Sequence, residues 1–432
     1  MKSLTAPVID PEKIRTIVGV DGSRDESLIL HCTKCDKNTS GIYSDSQNQF
    51  RRCPACKSLL MYCPVCQKPT SGTEKYNMLS CDQCHNDFVT DTTIAELISR
   101  DSKSREIVLS GIRATGRLHL GNFLGAVQQF IEYEKGDNLC MYFIADWHSL
   151  TTCHDPVKIK LNSQGIAMDY LAAGLNPERS IVYNQSSVPE IAELALYLSM
   201  LQSKRDLEGL PTVKDLVKDN ATMSMGHLFY PVLMAADILG PKATLVPVGS
   251  DQVANVELAT HIARKFNAEL GTSFVIPRLS MNKIVPSLQG GKMGKSEATV
   301  NISLEDSLEI IRGKYQKHGV TDVKRVKKGD PGDPDVCVSV FPLYRILREK
   351  DPSSLKEIET GCRSGARGCF DCKMELATEI DKLISPFRER RRELSEKTSY
   401  VKEVLHYGGK KAREIIQPTL REVRELMGIT EV

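Results

Sequence analysis

The chain has 432 residues, enough for two or three domains that each bury a core. Hydrophobic residues make up 41% and charged residues 26%, which excludes a disordered or fibrous chain. The formal net charge is only +2, so contact with nucleic acid requires a local basic patch. No apolar run approaches the ~20 residues that cross a membrane, and the start lacks the apolar core of a signal peptide. We expect a cytoplasmic protein with no membrane partner.

The N-terminal region is rich in cysteine, with eight of the 14 cysteines in four CxxC pairs. In a chain without a secretion signal, such pairs favour metal binding over disulfides. Each quartet predicts a closed, structural zinc site. The predicted ligands are Cys32, Cys35, Cys53 and Cys56 in the first ribbon, and Cys63, Cys66, Cys81 and Cys84 in the second. Cross-braced pairing of alternate units fits the spacing as well.

Residues 1–91 are therefore predicted to form a tandem four-cysteine zinc-ribbon module. Two roles remain open for it: a zinc-stapled folding platform, or an appendage that contacts RNA. Residues 92–105, with a short helical pattern and a charged stretch, are interpreted as a linker.

From residue 106 the pattern alternates between strands and helices. Apolar runs typical of buried strands occur at residues 107–109, 141–145, 181–183 and 244–248. Amphipathic helical stretches lie between them. This alternation predicts an α/β fold with a doubly wound, Rossmann-like parallel sheet, whose ligands lie beyond the carboxyl ends of the strands. Beyond about residue 301 the pattern is helical.

Two glycine-containing motifs lie about 170 residues apart. Gly116-Arg-Leu-His-Leu-Gly-Asn122 stands between a predicted strand and a predicted helix, where exposed backbone N–H groups suit a nucleotide. Lys292-Met-Gly-Lys-Ser296 brings two lysines and a serine together, which suits polyphosphate oxygens. Each motif alone is a weak signal. Together they indicate an enzyme that transfers a nucleotidyl group.

These motifs resemble those of a known family. His119-Leu-Gly-Asn122 resembles the HIGH motif of class I aminoacyl-tRNA synthetases, and Lys292–Ser296 resembles their KMSKS loop with glycine for the central serine. Between them, Tyr230–Leu239 and Val246–Gln252 are similar to tryptophanyl-tRNA synthetases. The resemblance runs from about residue 106 to residue 427. It implies a catalytic domain at 106–300 and an all-helical, anticodon-binding domain at 301–432.

The resemblance also implies ATP-dependent activation of L-tryptophan, with Mg²⁺ accompanying the nucleotide, and transfer of tryptophan to its tRNA. The residues expected to bind ATP are Arg113, Ala114, Thr115, Gly121, Asn122, Gly249, Ser250, Asp251, Lys292, Met293, Gly294, Lys295 and Ser296. His119, Asn122, Lys292 and Lys295 are the expected catalytic residues. Because a carboxylate is already a nucleophile, the enzyme has to position two anions and stabilise phosphate charge.

An indole pocket needs apolar walls and one acceptor for the ring N–H. Asp237 is the candidate acceptor, three residues after Met234 on the same helix face. By resemblance, Tyr230 and Gln252 bind the amino group, and His148 is either a direct contact or a hydrogen-bonded scaffold residue. Two alternatives stay open: a tyrosine-specific synthetase, and a non-catalytic paralogue that binds nucleic acid.

A third cysteine quartet lies in the C-terminal region. Its members are Cys337, Cys362, Cys369 and Cys372. Four thiolates hold either zinc or an iron–sulfur cluster. Similar spacing in some tryptophanyl-tRNA synthetases favours a 4Fe–4S cluster, with ordinary buried cysteines as the remaining alternative. Basic residues between 388 and 414 predict a patch for tRNA phosphates. A homodimer is expected from the family.

Overall fold

The computed structural model describes residues 106–218, 223–271, 274–294 and 300–429, together with the backbone of seven short strands between residues 30 and 89. The linker predicted at 92–105 lies outside these residues, as do the side chains of the eight N-terminal cysteines. The predicted zinc sites therefore stay predictions. None of the described helices is long and apolar enough to cross a membrane.

The N-terminal strands pair in an antiparallel manner throughout. β1 (Leu30–Cys32) pairs with β2 (Lys37–Thr39). The other five form one sheet in chain order. They are β3 (Arg51–Arg52), β4 (Leu59–Tyr62), β5 (Pro69–Lys75), β6 (Met78–Cys81) and β7 (Asp87–Val89). A zinc ribbon is built from antiparallel hairpins, so this backbone is compatible with the predicted ribbons.

A five-stranded sheet, parallel throughout, forms the centre of the molecule. Its strands are β8 (Ile107–Arg113), β9 (Leu139–Ala145), β10 (Ser180–Asn184), β11 (Leu245–Val248) and β12 (Arg278–Met281). Their order is β10-β9-β8-β11-β12, so the direction of winding reverses between β8 and β11. Ligands of such sheets bind beyond the carboxyl ends at this reversal. The predicted doubly wound fold is confirmed.

Helices cover both faces of the sheet. After β8 the chain forms α1 (Leu120–Asn122), a π-helical turn (Phe123–Val127) and α2 (Gln128–Glu134). The next are α3 (Asp146–Ser149), α4 (Pro156–Ala173), α5 (Glu190–Ser199), α6 (Lys204–Gly209), α7 (Pro211–Lys218), α8 (Met225–Leu239) and α9 (Val253–Glu269). Two 3-10 turns, Gln185–Ser187 and Ser250–Gln252, follow β10 and β11.

The C-terminal region is mainly helical, as the sequence predicts, with non-helical stretches at residues 301–307 and 319–340. Its helices are α10 (Leu308–His318), α11 (Phe341–Leu347), α12 (Pro352–Arg363), α13 (Cys369–Glu396) and α14 (Thr398–Leu426). α13 packs on α4, and α14 returns to cover the edge strand β10.

Packing between the two predicted domains is continuous. Side chains from one face of the sheet, such as Tyr142, share a core with Tyr344 and Ile380 of the C-terminal helices. Ile416 of α14 is buried with the opposite face. Residues on both sides of the boundary predicted at residue 300 therefore share a core on each face of the sheet, and the boundary itself stays a prediction.

Candidate active site

The turn after β8 is held by its own side chains. His119 is the N-cap of α1, and its Nδ1 accepts a hydrogen bond from the backbone N–H of Asn122 at 3.2 Å. In return, Asn122 Oδ1 accepts from the backbone N–H of His119, also at 3.2 Å. This reciprocal capping ties both side chains to the backbone of the turn. Both predicted catalytic side chains therefore also shape the turn.

The two motifs that are distant in sequence touch each other at Gly121. Its backbone N–H donates to Met293 Sδ at 3.2 Å. A Cβ added at Gly121 would lie 2.9 Å from both the His119 ring and Met293 Cβ. Any larger residue would push the Lys292–Gly294 loop away from the turn. Position 121 therefore requires glycine for the contact between the two motifs as well as for space beside a ligand.

Lys292 is placed by the turn after β11. Its Nζ pairs with Asp251 Oδ1, and Gln252 Nε2 donates to the other carboxylate oxygen at 2.8 Å. Burial alone would raise the pKa of Asp251, but the Lys292 ammonium and these hydrogen bonds hold that pKa below its ordinary value. A Cβ on Gly249 would lie 2.9 Å from Asp251 Oδ1, so the ion pair needs glycine there.

Among the predicted tryptophan-binding residues of α8, Asp237 is the centre of a buried hydrogen-bond network. Asp237 is only 3% exposed, and its carboxylate accepts from His148 Nε2 at 3.0 Å and from Gln185 Nε2 at 2.8 Å and 3.0 Å. Desolvation raises the pKa of Asp237, while these two partners partly oppose the rise. The Tyr230 ring stands edge-on to His148, with 6.0 Å between centroids. Gln185 carried no sequence signal that could have identified it.

These groups surround a single cavity of about 730 Å³ at the carboxyl ends of β8 and β11. Fifteen of the predicted ligand-binding residues line it: Arg113, Thr115, His119, Gly121, Asn122, His148, Tyr230, Met234, Asp237, Gly249, Ser250, Asp251, Gln252, Lys292 and Met293. Its size and mixture of apolar walls with few polar groups are typical of small-molecule sites.

Four predicted ATP-binding residues are not among the lining residues. Ala114 is fully buried, with its N–H donating to Ser149 Oγ at 2.8 Å, so it supports the turn from behind. Gly294 lies just beyond the lining residue Met293. Lys295 and Ser296 lie outside the described residues. Their predicted roles rest on the resemblance alone.

Asp146 stands two residues before His148 in the chain, yet it faces another cavity on the other side of α3. Its carboxylate accepts from the backbone N–H groups of Trp147 and Ser186, both at 3.0 Å. Residues two apart on a helix point in nearly opposite directions, which places Asp146 and His148 on opposite sides.

Three arginines of the predicted basic patch also take part in packing between helices. Arg391 Nε donates to the buried Asp169 at 2.7 Å, Arg390 Nε to the Ala172 carbonyl at 2.6 Å, and Arg388 Nη1 to the Asp306 carbonyl at 2.7 Å. These contacts bind α13 to the rest of the molecule, and the use of the patch for tRNA phosphates stays a prediction.

The four C-terminal cysteines, Cys337, Cys362, Cys369 and Cys372, all line one small, enclosed pocket, together with two arginines. All four are free thiols, and burial raises the pKa of the Cys337, Cys362 and Cys372 thiols. Arg367 Nε donates to Cys372 Sγ at 2.8 Å. Within the described ranges, no three His, Cys, Asp or Glu side chains are arranged to hold a metal ion.

Comparison with known proteins decides the family. A model of the class I tRNA synthetases for tryptophan and tyrosine (W and Y) matches residues 101–385. The chain belongs to this family. It is 39% identical to the tryptophan–tRNA ligase of Thermotoga maritima and 33% identical to that of Aquifex aeolicus, in each case over 74% of this chain and 99% of the relative. These matches make it an enzyme of the tryptophan–tRNA ligase group.

A solved relative agrees in fold. The tryptophanyl-tRNA synthetase of Campylobacter jejuni, complexed with ADP and tryptophan, is 34% identical, with a TM-score of 0.66. The match covers 74% of this chain and 99% of that protein. The N-terminal cysteine-rich residues lie beyond the part that the family matches.

Proposed function

We propose that the cavity activates L-tryptophan with ATP, giving tryptophanyl-adenylate and pyrophosphate, and that the enzyme then transfers tryptophan to its tRNA. The observation that carries this proposal is the meeting of the four sequence segments that resemble the family around one cavity at the reversal of the sheet. A carboxylate and a polyphosphate are both anions, so positioning them requires fixed donors and cations.

For ATP, the proposed binding groups are the turn at Thr115–Asn122, the 3-10 turn at Ser250–Gln252 and the Lys292 ammonium. Lys292 would stabilise charge that develops on the leaving phosphates. Its ammonium contacts Asp251, the residue proposed for the ribose. When the nucleotide binds, Lys292 would therefore either leave the Asp251 carboxylate or share this carboxylate with the ribose. Lys295 is proposed to assist, and Mg²⁺ to accompany the nucleotide as part of the substrate.

For the amino acid, we propose that Asp237 accepts the indole N–H and that Met234 packs beside the ring. A carboxylate has about four acceptor positions, so its bonds to His148 and Gln185 leave capacity for a third donor. His148 then acts as the scaffold residue that holds Asp237. Tyr230 and Gln252 are proposed to bind the amino group.

A metal at the C-terminal cysteines is a separate proposal. Four thiols line one pocket, and four thiolates are a donor set that holds either an iron–sulfur cluster or zinc. Arg325 and Arg367 stand beside the pocket and would offset thiolate charge. We propose Cys337, Cys362, Cys369 and Cys372 as ligands of a 4Fe–4S cluster that stabilises the packing of α11, α12 and α13.

The remaining assignments rest on the sequence. They are the two N-terminal zinc sites, anticodon binding by residues 301–432, a homodimer and a cytoplasmic location.

The proposed function is tested by amino-acid-dependent ATP–pyrophosphate exchange with tryptophan, tyrosine and phenylalanine. We expect exchange with tryptophan alone. Asp237→Asn should raise the KM for tryptophan about 100-fold, because the buried acceptor becomes partly a donor. Glu178→Gln, at the surface and away from the cavity, is the matched control and should keep the wild-type KM. Exchange with tyrosine instead would overturn the pocket assignment.

A further inference from the structure

Behind the wall of the catalytic cavity, one buried amide contacts the residues proposed to bind the amino group of tryptophan. It belongs to Asn255, which is 0% exposed, lies in the first turn of α9 and is not among the residues that line the cavity. Three lining residues surround it: Thr212, Tyr230 and Gln252. Asn255 can therefore act on a substrate only through side chains that reach the cavity.

The contact with Gln252 joins two side chains at the start of the helix. Asn255 Nδ2 donates to Gln252 Oε1 at 2.9 Å. Gln252 is the N-cap residue of α9, but its side chain makes no capping bond to the backbone. Residues three apart at a helix end lie on the same side, which brings the two amides together. The Gln252 amide is thus oriented by neighbouring side chains and not by the helix end.

The directions of these hydrogen bonds fix how the Gln252 amide is turned. Gln252 Nε2 donates to Asp251 Oδ2 at 2.8 Å, and an ionised carboxylate can only accept. The amide nitrogen therefore faces Asp251, and the amide oxygen faces Asn255. Because an amide oxygen has two lone pairs, the bond from Asn255 leaves one acceptor position for a substrate ammonium.

The hydrogen bonds continue from Gln252 towards both substrates. On the side proposed for ATP, the other oxygen of Asp251 pairs with the Lys292 ammonium. On the side proposed for the amino acid, Thr212 Oγ1 donates to Asn255 Oδ1 at 3.4 Å. Burial raises the pKa of Tyr230, and hydrogen bonds from Thr212 and Asn255 partly oppose this rise. Asn255 is therefore joined to both of the groups proposed to bind the ammonium.

We propose that Asn255 is a positioning residue for tryptophan, which holds the Gln252 amide with its oxygen ready to accept from the ammonium of the amino acid. This inference rests on the role proposed above for Gln252. Without Asn255, the amide is held at its nitrogen alone, by Asp251. Tryptophan then has to order this acceptor as it binds, which lowers its affinity, whereas a ligand without an ammonium has no such cost.

The test compares tryptophan with indole-3-propionate, which has the same ring and carboxylate but no amino group, by equilibrium dialysis with the full-length protein. Asn255→Leu and Asn255→Ala both remove the donor, one with the branched shape kept and the other with a smaller side chain. We expect either variant to bind tryptophan about three- to tenfold more weakly and to bind indole-3-propionate as the wild type does. The KM for ATP in pyrophosphate exchange should stay unchanged, because the pair of Lys292 with Asp251 is kept.

A double variant shows whether Asn255 acts through Gln252. Gln252→Leu removes the proposed ammonium acceptor, so adding Asn255→Leu to it should weaken tryptophan binding far less than Asn255→Leu does alone. Thr260→Val is the matched control. Thr260 is a buried residue of the same helix, and its hydroxyl has no partner among the described residues. This variant should keep the wild-type affinity for both ligands.

Equal weakening of tryptophan and indole-3-propionate in the Asn255 variants would mean a general loosening of the site and would overturn the inference. An unchanged affinity for tryptophan would do the same, as would additive effects in the double variant. Loss of a cooperative unfolding transition in both Asn255 variants would make Asn255 a folding residue instead. Tryptophan binding by the wild type without tryptophan-dependent exchange would refute the proposed function alone, since the dialysis still decides the role of Asn255. No binding of tryptophan by the wild type would refute both.

Discussion

The catalytic cavity and the four-cysteine pocket differ in whether their acidic side chains already have partners. In the cavity, the carboxylates already have partners: Asp251 pairs with Lys292, and Asp237 is hydrogen-bonded to the His148 ring. In the pocket, burial raises the pKa of three thiols, and arginines stand beside them. The first region is organised before a ligand arrives. The second contains groups that become charged at lower cost once a cation joins them.

The largest effect should come from breaking the first arrangement. Lys292→Ala removes the cation that faces the phosphates and should lower the rate of pyrophosphate exchange about 100- to 1,000-fold, the usual cost of one electrostatic contact to a transition state. Lys135→Ala, whose lysine forms a surface pair with Glu132 at 2.8 Å, is the control and should keep full activity. Wild-type exchange by Lys292→Ala would show that this lysine only holds Asp251.

The second comparison tests the pocket. Cys372→Ser should abolish bound iron and its visible absorption, and should lower the free energy of unfolding by about 3 kcal/mol, because a metal centre contributes to folding. Cys140→Ser is the matched control, since Cys140 is a fully buried thiol in β9 outside the pocket. It should cost stability but leave the iron content unchanged. Equal iron in both variants would show that Cys372 is not a ligand, and no iron in the anaerobically prepared wild type would leave zinc or ordinary buried cysteines as the interpretation.

A third change tests how the last helix, α14, is joined to the sheet that carries the catalytic cavity. α14 reaches the edge strand because Gly408 lies directly against it; a Cβ there would be 1.9 Å from the Val182 carbonyl oxygen. Gly408→Ala should therefore lower the free energy of unfolding by about 2 kcal/mol through overpacking. Gly313→Ala, in α10 with no atom within 4 Å of the added Cβ, should instead raise it by up to about 1 kcal/mol. Denaturant unfolding measures both, and equal effects would mean that this contact is loose.

Much of the central sheet could be predicted, because strands buried on both faces appear as short apolar runs. β12 could not, since its four residues include Arg278 and Ser280 and show no such run. The motifs identified much of the cavity because residues 116–122 and 249–252 follow β8 and β11, the two strands at the winding reversal. Gln185 could not be found, since an amide in a short turn has no periodic signal. Likewise, nothing local reveals that Arg391 pairs with Asp169, which lies 222 residues away.

The smallest effect concerns the pH dependence of tryptophan binding. Because burial raises the pKa of Asp237, its carboxylate takes up a proton at a higher pH than an exposed aspartate does. The protonated group is lost as a full acceptor, so the affinity for tryptophan should fall, by about threefold, as the pH is lowered from about 8 towards 5. Stability should respond in the opposite direction: a raised pKa means that the folded state binds the proton more tightly, so this contribution is present at low pH and is lost as the pH rises through the folded-state pKa.

The groups that face Asp237 limit this effect. His148 and Gln185 donate to it and favour the ionised form, whereas the nearby Asp146 opposes that form. Equilibrium binding of tryptophan across this pH range measures the affinity, and Asp237→Asn, which cannot titrate, is the control. If Asp237→Asn keeps the same pH dependence, the titrating group is another one. If only the wild type changes its affinity with pH, the titrating group is the Asp237 carboxylate. The same burial that raises the pKa of this carboxylate then also makes it a selective acceptor for the indole N–H.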